Sequence, residues 1–224
     1  MVRHRIDLHV HTKYSSDAMI EVEDIPKIAR SKGLRGIAIT DHNTMRAFEH
    51  LPTVEDIWIV RGVEINTDRG HVIGLFVSEA PRATILEEAL DEIRGQGGIA
   101  IMAHPFGFPR LGYIFRRATI DDLVPLARKF DAVEVCNSRV LFPSQNSAAR
   151  ELALKSERPA TGGSDGHFNH EVGRCCTIFE NASSEDELYD QLKRGETTAE
   201  DELSPLVGHA FSAATKVYRL FVRI

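Results

Sequence analysis

Only three cysteines occur in the 224 residues, at Cys136, Cys175 and Cys176. An odd count with two of them adjacent makes a poor disulfide framework and reads as a chain kept reduced. No apolar run approaches the ~20 residues needed to span a bilayer. The longest, such as Ile99 to Ala103, are strand-sized. The opening residues, Met1-Val2-Arg3-His4-Arg5-Ile6-Asp7, hold no apolar stretch of a secretory signal. These absences set the expectation of a soluble, cytoplasmic protein with no membrane contact. Positive charge is not in excess either. Lys and Arg number 27 against 33 Asp and Glu, a formal net charge of −6. That argues against a broad basic surface for non-specific duplex binding. Aromatic residues are scarce at 7%, and no aromatic-and-basic stripe stands out for stacking single strands. No GxGxxG follows the first strand-like run, so a dinucleotide fold has no specific support. There is no internal repeat and no low-complexity segment.

What remains is globular in proportion: 42% apolar and 27% charged. The length suits one domain over residues 1–224, with residues 196–224 packed on it as a terminal extension. Strand-like runs fall at Ile6–Val10, Gly36–Thr40, Ile57–Ile65, His71–Val77, Gly98–Ala103, Ala132–Cys136 and Pro159–Gly163. Several are unbroken Ile/Val/Ala runs, the pattern of strands buried on both faces. Between them the spacing predicts helices over Val22–Lys32, Thr84–Gly95, Thr119–Lys129, Ser144–Ser156 and Ser184–Arg194. Thr84 with Glu87 and Ser184 with Glu187 have capping-box spacing. Val217–Ile224 reads as strand or helix. Repeated strand–helix alternation predicts an α/β fold, with mostly parallel strands and helices outside. The pattern alone leaves a closed barrel and an open doubly wound sheet both standing.

Histidine is the unusual component, with ten residues in clustered positions. His9 and His11 end the first strand, and alternation places them on one face. Other strand ends carry Asp41-His42, Glu64, His104 and Asp165-Gly166-His167. Any one of these alone is a loop polar residue. Together they mark the carboxyl ends of the strands, where parallel α/β folds place their sites. Carboxylates and neutral imidazoles without a cysteine pair suit Mn, Zn or Fe rather than a structural cysteine-rich zinc site. Several acids among several imidazoles imply more than one ion, an arrangement suited to phosphoryl chemistry by a shared hydroxide.

The segments DLHVHTKYSSD, TDHN, GVEI, AHP, EVCN and SDGH, running from residue 7 to residue 167, resemble the ordered motifs of the PHP (polymerase and histidinol phosphatase) family. The likeness is to its small metal-dependent phosphoesterase branch. It implies a distorted (β/α)7 barrel with two or three divalent ions at the strand ends. Carried over by position, His9, His11, Glu64 and Asp165 hold the first ion. Glu64 bridges to a second, shared with His104. Asp17, His42 and His167 hold a third. Many relatives have histidine where Asp17 stands. Many also supply a histidine to the second ion from the strand that here reads Val133-Glu134-Val135-Cys136-Asn137, where none is present. That second site is then weaker, empty, or completed by His71 or by the Cys136–Asn137 strand end; His71 is otherwise a core or strand-end histidine with structural partners.

Lys13, Arg139 and Arg174 are candidates to bind phosphate, with a surface salt bridge as the alternative for each arginine. Arg139 is also a candidate catalytic residue. His170 is a candidate proton donor to a leaving alkoxide, or a surface histidine. Asp41 is an orienter of its neighbours or a proton acceptor. Cys136 and Cys175-Cys176 read as packed residues. The expected activity is phosphomonoester hydrolysis by a metal-bound hydroxide. A nucleotide, a nucleoside bisphosphate or a short oligonucleotide end is the favoured substrate, and histidinol phosphate or a sugar phosphate the alternative. Two rivals stand beside it. One is a C–N hydrolase of the amidohydrolase type, disfavoured because Glu64 occupies the place of the carboxylated lysine that bridges metals in many of those enzymes. The other is a non-catalytic metal-holding domain. Oligomeric state is not encoded in any pattern seen.

Overall fold

The computed structural model describes residues 2–107, 119–200, 203 and 207–222. Nine strands form one sheet: β1 (Arg3–Val10), β2 (Gly36–Ile39), β3 (Trp58–Thr67), β4 (Gly70–Leu75), β5 (Ile99–Met102), β6 (Ala132–Asn137), β7 (Ala160–Gly163), β8 (Cys176–Glu180) and β9 (Thr197–Glu200). Their order is β7-β6-β5-β4-β3-β2-β1-β8-β9. A parallel bridge between Val10 and Gly166 returns the chain after β7 to the end of β1, so the first seven strands curl into a nearly closed barrel. One apolar cluster draws Ile6, Ala38, Val60, Ile73 and Ile101 from five successive strands, as a curled sheet requires. Every residue of β2, β5 and β6 is buried, in keeping with the unbroken apolar runs of β2 and β5.

Among the described residues there are also six α-helices, α1 (Ile25–Ser31), α2 (Leu86–Gly95), α3 (Ile120–Ala127), α4 (Pro143–Ser156), α5 (Glu185–Arg194) and α6 (Val207–Val222), and two 3-10 turns at Val22–Asp24 and Arg46–Glu49. Leu86, Leu90 and Ile93 of α2, Leu123 of α3 and Leu152 of α4 pack on Val63, Val72 and Val133 of the sheet. No helix among the described residues is long and apolar enough to cross a membrane.

Three features depart from the sequence expectations. The strands are not mostly parallel, because β3–β4, β4–β5, β1–β8 and β8–β9 all pair antiparallel. The hairpin between β3 and β4 turns in two residues, Asp68 and Arg69, too few for a crossover. Reversal of β4 has a consequence for function. It brings the first residues of β4, including His71, to the end of the barrel where β1, β2, β3 and β5 terminate. The predicted helix Val22–Lys32 is split into a single 3-10 turn at Val22–Asp24 followed by α1. Pro26 stands at the start of α1 and has no N–H to give the Val22 carbonyl, which Ile25 takes instead. Thr84 does not cap α2, which starts at Leu86; Asp68 of the hairpin accepts the Leu86 N–H at 2.9 Å. Ser184 does cap α5. The terminal segment is helical, as α6, with residues 223–224 outside the described residues.

Candidate metal centre

Asp7, His9 and His11 share one face of β1. Asp7 is fully buried and accepts N–H groups from His9 (3.2 Å), Ser164 (2.8 Å) and Gly173 (2.7 Å). Burial pushes its pKa up to about 6 against those hydrogen bonds. One carboxylate thus ties β1 to the segment after β7. Gly163 must be glycine here, because a Cβ would fall directly on His9 Cβ.

The strand ends then converge. His9 Nε2 and His11 Nε2 face each other at 3.0 Å. Asp165 Oδ1 lies 3.7 and 3.3 Å from them, and Glu64 Oε2 lies 3.6 and 3.3 Å away. Two imidazole nitrogens and two carboxylate oxygens therefore surround one point. Beside it, Glu64 Oε1 is 2.8 Å from His71 Nδ1 and 3.0 Å from His104 Nε2, a second group. A third forms where Asp17 Oδ1 lies 3.7 Å from His42 Nε2 and 3.4 Å from His167 Nε2. Glu64 joins the groups, since its Oε2 also sits 2.9 Å from His42 Nδ1.

Three of the imidazoles are held by one nitrogen so that the other turns toward these points. His9 Nδ1 is 2.9 Å from Glu134 Oε1. His11 Nδ1 donates to Ser15 Oγ at 3.1 Å, and Ser15 in turn donates to Asp41 Oδ1 at 2.6 Å. His167 Nδ1 donates to the Asp165 carbonyl at 2.7 Å. Each bond fixes a tautomer that leaves Nε2 as an acceptor. Asp165 and His104 both have positive φ, 53° and 26°, a backbone state that persists only where surrounding contacts enforce it.

Electrostatics call for positive charge at this place. Burial opposes ionisation of Glu64 and Asp165, yet the imidazoles around them hold both well below the usual carboxylate range. Burial also opposes charging of His9, but Glu134, Asp165 and Glu64 raise its pKa well above normal. His11, similarly placed, is raised to about 9. Burial lowers the pKa of His71 and His167, keeping these rings neutral and able to ligate. Both ring nitrogens of His42 and Glu64 Oε2 are buried without a hydrogen bond of acceptable geometry. Buried carboxylates without compensating cations are costly, and divalent ions are the economical solution. The donor set of nitrogen and oxygen fits such ions.

Of the nine sequence-predicted metal ligands, the structure brings all together: His9, His11, Asp17, His42, Glu64, His71, His104, Asp165 and His167. The other candidates lie elsewhere. Asp41 is buried beneath the cluster with its oxygens occupied by Thr12 N–H (2.7 Å), Thr12 O–H (2.5 Å) and Ser15 O–H. Lys13 is paired with Glu21. Arg174 donates to the Leu203 carbonyl. His170 is exposed and stacks on Phe168. Arg139 is buried near His167, its Nη1 held by both oxygens of Glu171 at 3.0 and 2.8 Å. Cys136 is buried, its Sγ donating to the Glu200 carbonyl.

Sequence reading passed over Glu134, and it offered Asn137 only as part of a strand end that could complete the second site. Glu134 Oε2 accepts the His104 N–H (2.8 Å) and Asn137 Nδ2 (3.1 Å), and Asn137 Nδ2 also reaches Asp165 Oδ2 (3.3 Å). The available signal was a lone acid inside the apolar run Ala132–Cys136.

A PHP-domain family model matches residues 7–131, more than half of the chain, and a PHP-associated model matches residues 143–197. The chain belongs to the PHP family. An uncharacterized protein of Methanocaldococcus jannaschii is 34% identical over 180 residues, covering 78% of this chain and 70% of its own length. A Shewanella sediminis protein named as a probable phosphatase is 28% identical over 207 residues, 77% of this chain and 82% of its own. Two solved structures share the fold. A two-domain Bacteroides vulgatus protein containing a PHP-like metal-dependent phosphoesterase superposes with TM-score 0.68 at 20% identity, over 90% of this chain and 65% of that one. Endonuclease Q from Pyrococcus furiosus, a lesion-specific enzyme, gives 0.65 at 18% identity, over 86% of this chain and 56% of that one.

Proposed function

We propose that this PHP chain is a metal-dependent phosphoesterase acting on a small or terminal phosphomonoester: a nucleotide, a nucleoside bisphosphate or the end of a short oligonucleotide. One observation carries the reading. The buried carboxylate of Glu64 lies within 3.6 Å of five imidazoles, those of His9, His11, His42, His71 and His104. That arrangement suits a carboxylate shared between cations, with His9, His11 and Asp165 on one side, His71 and His104 on another, and Asp17, His42 and His167 on the third. Bound divalent ions (Mn, Zn or Fe, two or three in number) supply Lewis acids for phosphoryl oxygens and lower the pKa of an attacking water.

The chain's own residues do the rest. Glu134, Ser15 and the Asp165 carbonyl hold three imidazoles in the ligating tautomer. Arg139 lies beside His167 but is engaged with Glu171, so it reaches a phosphate only by releasing that partner. No carboxylated lysine is needed, since Glu64 takes the bridging place. The phosphatase name of one relative supports a phosphate ester as substrate, whereas the structural neighbours include both a lesion-specific endonuclease and an amidohydrolase and do not separate the two reactions.

The test is phosphate release by protein reconstituted separately with Mn, Zn and Fe. The panel holds nucleotides, nucleoside bisphosphates, 5′-phosphorylated oligonucleotides, sugar phosphates and histidinol phosphate, with His9→Ala as blank. We expect release that is highest on nucleoside esters and absent from the blank. Turnover confined to sugar phosphates would overturn the substrate class. Turnover confined to amides would overturn the reaction.

A further inference from the structure

The last described helix, α6, lies outside both family-model matches, yet two of its side chains bond to the third candidate ligand group or its supports. Arg219 Nη1 donates to the carbonyls of Lys13 (2.6 Å) and Ser15 (2.7 Å), and its Nη2 donates to the carbonyl of Ala18 (2.9 Å). These three carbonyls flank Asp17. The same loop supplies the Ser15 hydroxyl, which receives the His11 Nδ1–H and the His42 N–H. Seven residues earlier, on the same face of the helix, the buried Ser212 meets Arg139 Nη2 at 2.9 Å. Arg139 grips Glu171, and Glu171 Oε2 accepts the His167 N–H at 2.9 Å. Both paths from α6 therefore end at the same place, one at Asp17 and one at His167.

We infer that α6 is a working part of the metal centre, with Arg219 the positioning residue that fixes the Asp17 loop for the third ion. The inference rests on the metal reading of that group. A loop carbonyl normally finds water, and a loop with three carbonyls facing one point would splay. The planar fork of a guanidinium satisfies several at once, which a lysine ammonium on a flexible stem does not reproduce. The loop is held on its other side by Met19 N–H to the His167 carbonyl at 2.9 Å. Without Arg219 the loop keeps that contact and the Ser15 hydroxyl bonds, but loses the fork that gathers the carbonyls of Lys13, Ser15 and Ala18 around Asp17.

The experiment is Mn2+ binding to metal-free protein, followed by the electron paramagnetic resonance of the free ion, for wild type, Arg219→Ala, Arg219→Lys and Lys216→Ala. Lys216 is exposed on α6 and serves as the control. The inference predicts that Arg219→Ala weakens one ion at least tenfold while the others keep wild-type affinity. Arg219→Lys should fall between, and Lys216→Ala should match wild type. Wild-type affinity for every ion in Arg219→Ala would overturn it, leaving Arg219 as an anchor for the helix alone. Equal weakening of all ions would also overturn it. If Arg219→Ala does not fold, Arg219→Lys decides by the same criterion. A wild-type protein that binds no Mn2+ would instead defeat the metal reading itself, so the two failures are distinct.

Discussion

Replacing Glu64 with glutamine is expected to reduce phosphate release by roughly a thousandfold or more, since one change weakens every ion that the carboxylate shares. A glutamine side chain has the same shape but would point an N–H2 group at imidazole nitrogens that need to face a cation. The fold should survive. In metal-free protein the ionised Glu64 raises the pKa of His11 and His104. When its charge is removed, those rings give up protons more readily, while Asp165 remains beside His11, and Asp165 and Glu134 beside His104, to balance any charge kept. The metal-free melting temperature should therefore change little. The metal-bound protein differs, because saturation at a hundred times Kd stabilises by about 2.7 kcal/mol. At ~2–4 °C per kcal/mol for a chain of this size, wild type should gain roughly 5–10 °C for each ion bound, and Glu64→Gln far less. Thermal scans with and without metal, beside the activity assay, check both parts.

Glu134→Gln is expected to weaken ion binding by about 10–100-fold, the usual effect of losing a partner that orients a ligand. The reason is a conflict of donors. Glu134 Oε1 faces His9 Nδ1, while Oε2 accepts from the His104 N–H and Asn137. With its amide nitrogen at the Oε2 position, glutamine would oppose two donors with a third. Flipped, it would donate to His9 Nδ1, forcing the proton onto Nε2 and removing the lone pair an ion needs. Either orientation costs affinity. Chelator competition measures the loss, and nitrogen-15 spectra of the histidines show whether the His9 tautomer has changed. Unchanged affinity would make Glu134 a packing residue only.

Much of the site was legible because strand ends are legible. Apolar runs stop abruptly at His11, His42, Glu64, His104 and Asp165, and the chemistry begins where they stop. His71 was harder. Its place depends on the direction of β4, and sequence alternation alone does not distinguish a two-residue hairpin from a crossover. Glu134 was hidden for the opposite reason. It lies within a buried strand, where a lone charge reads as an exception to a pattern rather than as a member of a site. The extra strands β8 and β9 escape the pattern because Thr197–Glu200 is short and polar and Cys176–Glu180 reads only as core. The role of α6 is set by three backbone carbonyls and one guanidinium, and carbonyls leave no mark in a sequence. Lys13, Arg174 and His170 stand beside ligand motifs in the chain, but their side chains turn to Glu21, the Leu203 carbonyl and Phe168.

The central claim is that Glu64 stands between cations. Anomalous diffraction from crystals of Mn-saturated protein tests it most directly. The account predicts a peak among His9, His11, Glu64 and Asp165 and a second among Glu64, His71 and His104, about 4 Å apart, with one Glu64 oxygen on each. An ordered cluster with no peak at saturating metal, or ions bound without Glu64, would contradict it.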